Sequence, residues 1–392
     1  MENGKMNSKE RMQLAFAHRE ADRIPVGEFD IDEPIASQIL GREAWVGYGG
    51  SHRGKRAIEM MKAGHMDEYY AHEAADLVEL TRKLELDWLH ILPHGIEFSP
   101  PTTLEENIWL YGEPNGDWAI YKYQPETDVF AEIDSSLARG SLSALERLVE
   151  RMEASSPSTD GLDFSQVDWI VQEIGKETFL VGNVDVYLGF ASAAASVFME
   201  AIALRPDLYE RYLDAQLPQS MMFLQAQVKH GVVAVIGGED WAGKNGPLIS
   251  PKHYRSLILP RLQKLVNECH RLGIPFIKHT DGNITRVEQV LLVESGIDAY
   301  QAIEPVAGME IADLKQRYGK HLTLMGNIDC AHLLCDGTPE EVTAETHRVI
   351  RAAAPGGGFV LTSSNSIHGG VRLENYMAML ETARLYGNYP IR

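Results

Sequence analysis

The chain has 392 residues and a formal net charge of -20, which disfavours a nucleic-acid partner because too few cations remain to neutralise a run of phosphates. With 44% hydrophobic and 8% aromatic residues a sizeable core is expected, in one large or two ordinary domains at roughly 150 residues each. Three cysteines (Cys269, Cys330 and Cys335) cannot build a disulfide framework, the charged N-terminus has no apolar signal core, and no apolar run approaches the roughly 18 residues that span a bilayer. The expectation is a cytoplasmic protein with no membrane partner.

Lys9 to His18 has helical spacing, with Met12, Leu14, Ala15 and Phe16 apolar, and Arg23-Ile24-Pro25 ends that unit. Ile24 to Phe29 reads as a first buried strand, followed by the acidic run Glu28, Asp30, Asp32 and Glu33. Residues 35 to 85 read as helical and irregular, with many His and aromatic side chains, and Leu86 to Leu92 as a second strand. Residues 107–134 break the pattern. NIWLYGE and DWAIYKYQ alternate around Pro114-Asn115-Gly116, which predicts an antiparallel hairpin insertion. Residues 135–176 read as helical, with a soft Ser/Pro/Thr loop at 155–159.

A regular rhythm follows. Strands are predicted at Thr178 to Asp185, Val232 to Asp240, within the stretch Ile274 to Asn283, and at Ala299 to Glu304, Leu322 to Asp329 and Gly358 to Ser364, with helical segments between them. Eight apolar strands alternating with helices predict an α/β fold, a single (β/α)8 TIM-type barrel over residues 1–392 with an elaborated N-terminal region. A doubly wound open sheet is the runner-up, but no G-x-G-x-x-G follows any strand.

In such a barrel the C-terminal strand ends share one mouth, where active sites are kept. They carry Asn183, Asp185, Glu239, Asp240, His279, Asp281, Glu304, Asn327, Asp329 and Asn365. A His among carboxylates suits either metal binding or general acid–base chemistry. The blander alternative is that Thr280 and Asp281 only cap the next helix. Tyr187, Phe190, Trp241 and Tyr300 lie on or just after strand ends and are candidates to wall a flat ligand, or are ordinary packing. Cys330 follows Asp329 and can approach the mouth, whereas Cys269 reads as core.

GGEDWAGKNGPLISPKHY (237–254), MGNID (325–329) and SIHGGVRLEN (366–375) give the chain a pattern that resembles the uroporphyrinogen decarboxylase superfamily, from Arg23 to Asn375. That superfamily includes zinc-dependent, corrinoid-linked methyltransferases, and the resemblance implies a (β/α)8 barrel. Decarboxylases of uroporphyrinogen carry an Arg-rich RQAGR-like segment after the first strand to hold the substrate's carboxylates. Here Val26-Gly27-Glu28-Phe29-Asp30 is acidic, and GNLDP reads GNIDC, so that substrate is not expected. The methyltransferase branch binds zinc through His-x-Cys and a later Cys. By resemblance His279 holds the first place, Asp281 the second and Asn365 lies near the third, with Glu239, Asp240 or His368 as helpers.

Those harder ligands suit activation of an ether oxygen as a leaving group better than activation of a thiol. The leading expectation is a methyltransferase that moves a methyl group from a small, methoxylated aromatic donor to a separate corrinoid protein, an O-demethylase component. Cobalamin would arrive on that partner, since the chain has no D-x-H-x-x-G motif. Expected catalytic residues are His279, Asp281, Glu239 and Asp240, with zinc on His279, Asp281 and Glu239. Expected substrate contacts are Asn183, Asp185, Tyr187, Trp241, Asn327, Asp329 and Asn365. A lyase acting on a small carboxylic acid and a non-catalytic binding subunit are the alternatives, and a homodimer is left open.

Overall fold

The computed structural model describes residues 6–95 and 99–391. Seven parallel strands form one curled sheet in the order Trp88–His90, Phe179–Asn183, Ala234–Gly237, Phe276–Thr280, Ala299–Ala302, Thr323–Ile328 and Phe359–Ser363. Each neighbouring pair is in parallel register, for example Ile277 opposite Ala299 and Ile277 opposite Ile236. Helices on the outer face connect them, as the sequence rhythm predicts for a TIM-type (β/α)8 fold. Among the described residues no helix is long and apolar enough to cross a membrane.

The expected first strand, Ile24 to Phe29, takes the eighth place without forming a regular ladder. Val26 bridges Leu361 in parallel, Leu361 N–H donates to Pro25 O at 2.9 Å, and Asp87 N–H donates to Val26 O at 2.7 Å. The segment therefore closes the gap between the first and last strands of the sheet. Pro25 has no N–H to give, which limits the pairing to isolated bridges.

Strand alternation sorts side chains into two cores. Trp88, Phe179, Val181, Ala234, Ile236, Ile277, Ala299, Met325 and Val360 fill the barrel interior, while their sequence neighbours such as Phe276 and Leu324 pack outward against the helices. Helix Ser8–Phe16 plugs the end opposite the mouth. An Asn7/Glu10 capping box starts it, and it buries Met12 and Ala15 against that interior layer.

The hairpin predicted at 107–134 proves to be the centre of a larger feature. Thr102–Glu105, Ile108–Gly112, Trp118–Gln124 and Val129–Ser135 make a four-stranded antiparallel sheet. The first of these strands is exposed at all four positions, so it has no buried face to produce an alternating pattern in the sequence.

Candidate functional site

Continuing each interior column two residues toward the C-terminal ends gives the layer that floors the mouth: Phe29, His90, Asn183, Gly238, His279, Gln301, Asn327 and Thr362. Contacts agree with that placement. Phe29 stacks on His279 at 4.7 Å and on His90 at 5.1 Å between centroids, and a Cβ on Gly238 would lie 3.9 Å from both Asn183 and Phe29.

His279 is 5% exposed and held from one side. Its Nδ1 meets Gln301 Oε1, an acceptor that keeps the ring proton on Nδ1 and leaves the Nε2 lone pair free. Nε2 faces Asp281 Oδ1 at 3.7 Å and Asp240 Oδ1 at 3.9 Å. One ligand atom from each of Asp240, His279 and Asp281 lies within 4.8 Å of the others. Three acceptors therefore converge, and Asp281 Oδ1 is buried with no hydrogen-bond partner. Asn365 Nδ2 donates to the other oxygen, Asp281 Oδ2, at 2.5 Å. Burial raises the Asp281 carboxyl to about 6, against the pull of His279 and helped by Asp240 and Glu304.

The backbone that aims these groups is constrained by Gly282. It has φ +78°, and a Cβ there would stand 2.6 Å from the carbonyl oxygens of Ala242 and Gly243. Its N–H donates to Glu304 Oε2 at 2.8 Å, and Asp281 N–H donates to Asp240 Oδ1 at 2.9 Å. The turn after the strand thus ties three strand ends together, so the stretch is more than a helix cap.

A tetrahedral zinc with donors at about 2.0–2.2 Å requires them to lie about 3.3–3.6 Å apart, so the 3.7 and 3.9 Å from His279 Nε2 to the two carboxylates would have to close by a few tenths of an ångström. The donor set also matches the chemistry of a divalent ion, with Gln301 and Asn365 orienting two of the ligands from behind. Asp240 replaces the expected Glu239 in this group. Glu239 Oε1 instead accepts Leu188 N–H at 3.0 Å, and burial with the nearby Asp185 charge raises its carboxyl to about 7.

Several expected substrate contacts have other roles. Trp241 is 1% exposed and stacks on Tyr254 at 4.5 Å, so it supports the mouth from beneath and does not wall it. Tyr300 is fully buried. Asp185 is locked to Lys278 Nζ at 2.6 Å, a pair buried on both sides. Asp329 spends both oxygens on the N–H groups of Ala331, His332 and Leu333. Asn327 lies in the floor layer with Oδ1 buried and unpartnered. Asn183 and Tyr187 do reach the mouth, Tyr187 OH donating to Asn183 Oδ1 at 3.2 Å with 45% of Tyr187 exposed.

His368 does not replace the missing Cys. Its Nε2 meets Cys330 O at 3.0 Å and its Nδ1 accepts Gly370 N–H at 3.1 Å. Cys330 is buried against Ser364, and burial pushes its thiol up to about 12, the condition of an inert cysteine. Sequence reasoning missed Phe29, His90 and Gln301, although the two-residue offset from Gly27, Trp88 and Ala299 would have found all three.

A profile described as "Uroporphyrinogen decarboxylase (URO-D)" matches residues 164–386. The uroporphyrinogen decarboxylase of Thioalkalivibrio sulfidiphilus (strain HL-EbGR7) is 28% identical over 170 residues, covering 42% of this chain and 45% of that one. The one from Geobacter sulfurreducens is 29% identical over 181 residues, covering 45% and 48%. The chain thus spans about half the length of the curated relatives it matches. Among solved structures, a methyltransferase from Methanosarcina mazei superposes with a TM-score of 0.68 at 17% identity, over 97% of this chain and 99% of that one, which shows a shared fold. The family profile covers more than half of the 392 residues, so the chain belongs to the uroporphyrinogen decarboxylase (URO-D) family.

Proposed function

We propose that the protein is a methyltransferase that takes a methyl group from a small, methoxylated aromatic donor and passes it to a corrinoid carried by a separate protein. The observation that carries this reading is the convergence of His279 Nε2, Asp240 and Asp281 at the barrel mouth with, among the described residues, no Lys or Arg paired to them. Converging acceptors favour a positive species there, either a proton or a divalent metal. Asp240, His279 and Asp281 would hold zinc, which supplies Lewis acidity to an ether oxygen.

The chain's own residues account for the remaining requirements. The exposed Tyr187 offers a ring face to a flat donor, while Phe29 backs His279 by stacking on it. Gln301 fixes the tautomer of His279, and Asn365 fixes the rotamer of Asp281. In the transfer the methyl–oxygen bond breaks, its electron pair stays on oxygen and a proton neutralises the phenolate. The methyl goes to the reduced cobalt of the partner, the nucleophile.

The test is to mix the chain with a reduced corrinoid protein and a panel of aryl methyl ethers and to follow methylcobalamin by absorbance. Formation with the wild type, lost in His279→Ala and Asp281→Asn, supports the reading, and no signal across the panel sinks it. A second reading, decarboxylation of a small carboxylic acid, is favoured by the names of the 25–29% identical relatives. Release of CO2 without a corrinoid protein would select it.

A further inference from the structure

The segment that closes the barrel also grips the turn that carries Asn365. Ser363 ends the last strand, and its backbone N–H and its hydroxyl both meet the Glu28 carboxyl, the N–H at 3.0 Å and the hydroxyl at 2.6 Å from Oε2. At the far end of the turn, Ile367 N–H donates to Asp30 O and Asp32 N–H donates to Ile367 O, both at 2.9 Å. Residues 363–367 are therefore clamped at both ends by residues 28–32. Midway between the clamps, Asn365 Nδ2 donates to Asp281 Oδ2 at 2.5 Å. The clamp at Ile367 is backbone alone, whereas the clamp at Ser363 depends on the Glu28 side chain.

Counting hydrogens identifies the form of Glu28 that completes this clamp. The Ser363 hydroxyl has one hydrogen and two oxygens within reach, Glu28 Oε2 at 2.6 Å and Asn365 O at 3.0 Å. With Glu28 ionised that hydrogen goes to the carboxylate, and the Asn365 carbonyl receives nothing from it. With Glu28 protonated the carboxyl O–H donates to Ser363 Oγ, which gives its own hydrogen to Asn365 O, and both contacts are made. The surroundings agree. Glu28 is 4% exposed, and burial raises its carboxyl to about 8. Asp30 and His90 line the same cavity of about 30 Å³, to which helix Met66–Leu84 presents only Leu77, Leu80 and Thr81. Cys330, after the Thr323–Ile328 strand, and Tyr376, on helix Leu373–Tyr386, approach from the other side. None of these groups supplies a compensating positive charge: burial lowers His90 to about 3, so it is neutral, and the Tyr376 hydroxyl is buried without a partner.

We infer that Glu28 is a positioning residue for the acceptor cluster: in its protonated form it holds, through Ser363, the turn that carries Asn365, and so keeps Asp281 aimed at His279. Loss of the proton withdraws the Ser363 hydrogen from Asn365 O and loosens that end of the turn. The inference rests on the proposed reaction only for what Asp281 and His279 then do; the relay from Glu28 to Asn365 stands on the hydrogen bonds themselves.

The test follows the side-chain amide signal of Asn365 by NMR in the full chain labelled with 15N-asparagine, in chelator, with the signal assigned by its loss in Asn365→Ala. Across about pH 6 to 9.5 the wild-type signal is expected to move with a midpoint near 8. In Glu28→Gln the amide donates to Ser363 Oγ at every pH, and the signal stays where the wild type has it at low pH. Asp30→Asn keeps the wild-type transition, which separates Glu28 from its neighbour. Ser363→Ala keeps the Glu28 charge but breaks the relay, so the transition disappears there too. A wild-type signal with no transition near pH 8, or a transition that survives Glu28→Gln or Ser363→Ala, overturns the inference. In methyl transfer the wild type should lose kcat above about pH 8 with KM little changed, and Glu28→Gln should keep it. The two proposals fail separately: the NMR transition without methyl transfer refutes only the proposed reaction, whereas methyl transfer with an Asn365 signal indifferent to Glu28→Gln refutes only the positioning role.

Discussion

Lys278 and His279 are consecutive residues of one strand, both buried, and they face opposite ways. Lys278 looks outward and is satisfied: its ammonium donates to Asp185 Oδ2 at 2.6 Å and to Glu239 O at 2.6 Å. Asp185 in turn accepts the N–H groups of Glu239 and Val186. His279 looks into the mouth, where among the described residues it meets two carboxylates and no Lys or Arg. A charge pair closed on itself anchors strand ends, whereas a cluster of acceptors is left open to a positive species from outside. The step of one residue along a strand is enough to separate the two roles.

The largest effect expected from breaking this contrast is on the closed side. Lys278→Met leaves Asp185 buried and unpaired and should cost about 3–5 kcal/mol in urea unfolding, most of it regained when Asp185 is replaced by Asn in the same chain. If Lys278→Met is as stable as the wild type, the pair is not the anchor described here. On the open side, His279→Ala should lower methyl transfer by about 10²–10⁴-fold, the range of an acid–base or metal-holding group, with a smaller change in stability than Lys278→Met. Equal losses of activity in both variants relative to their folded fractions would erase the distinction.

Glu28 sharpens the comparison from a third position. Burial raises its carboxyl from the ordinary 4.5 to about 8, although Ser363 N–H and Oγ–H both donate to it. The folded chain therefore keeps a proton that the unfolded chain releases above pH 4.5. The associated stabilisation is complete below that pH and is lost as pH rises to about 8, by at most about 1.4 kcal/mol per pH unit. Urea midpoints measured across that window should lose this slope in Glu28→Gln, and an unchanged slope would assign the proton to another group. The smallest effect concerns the acceptor cluster. In chelator, Asp281→Asn should raise stability on the order of 1 kcal/mol by removing one of three converging acceptors, while activity falls. A thermal midpoint lowered in chelator would show that Asp281 is structural.

Much of this protein was legible in one dimension. The alternation of buried strands with helices gave the barrel, and polar residues at strand ends gave His279, Asp240 and Asp281, because both patterns are local and repeat along the chain. Glu239 and Asp240 are adjacent, however, and nothing in their order tells which one turns toward His279. The Leu188 N–H, 51 residues away in sequence, settles that by taking Glu239. Trp241 was misread for a similar reason: a strand-end aromatic looks the same in sequence whether it faces the mouth or stacks on Tyr254 beneath it.

The sequence by itself determined the fold, the family and the strand ends that carry the candidate site, since hydrophobic period and motif depend on neighbours a few residues apart. Only the tertiary structure decided which polar groups are used up and which stay open. Asp185 and Asp329 are satisfied by partners, and the His279 cluster is not. Whether a charge is free depends on what surrounds it in three dimensions, and those surroundings come from segments far apart in the chain.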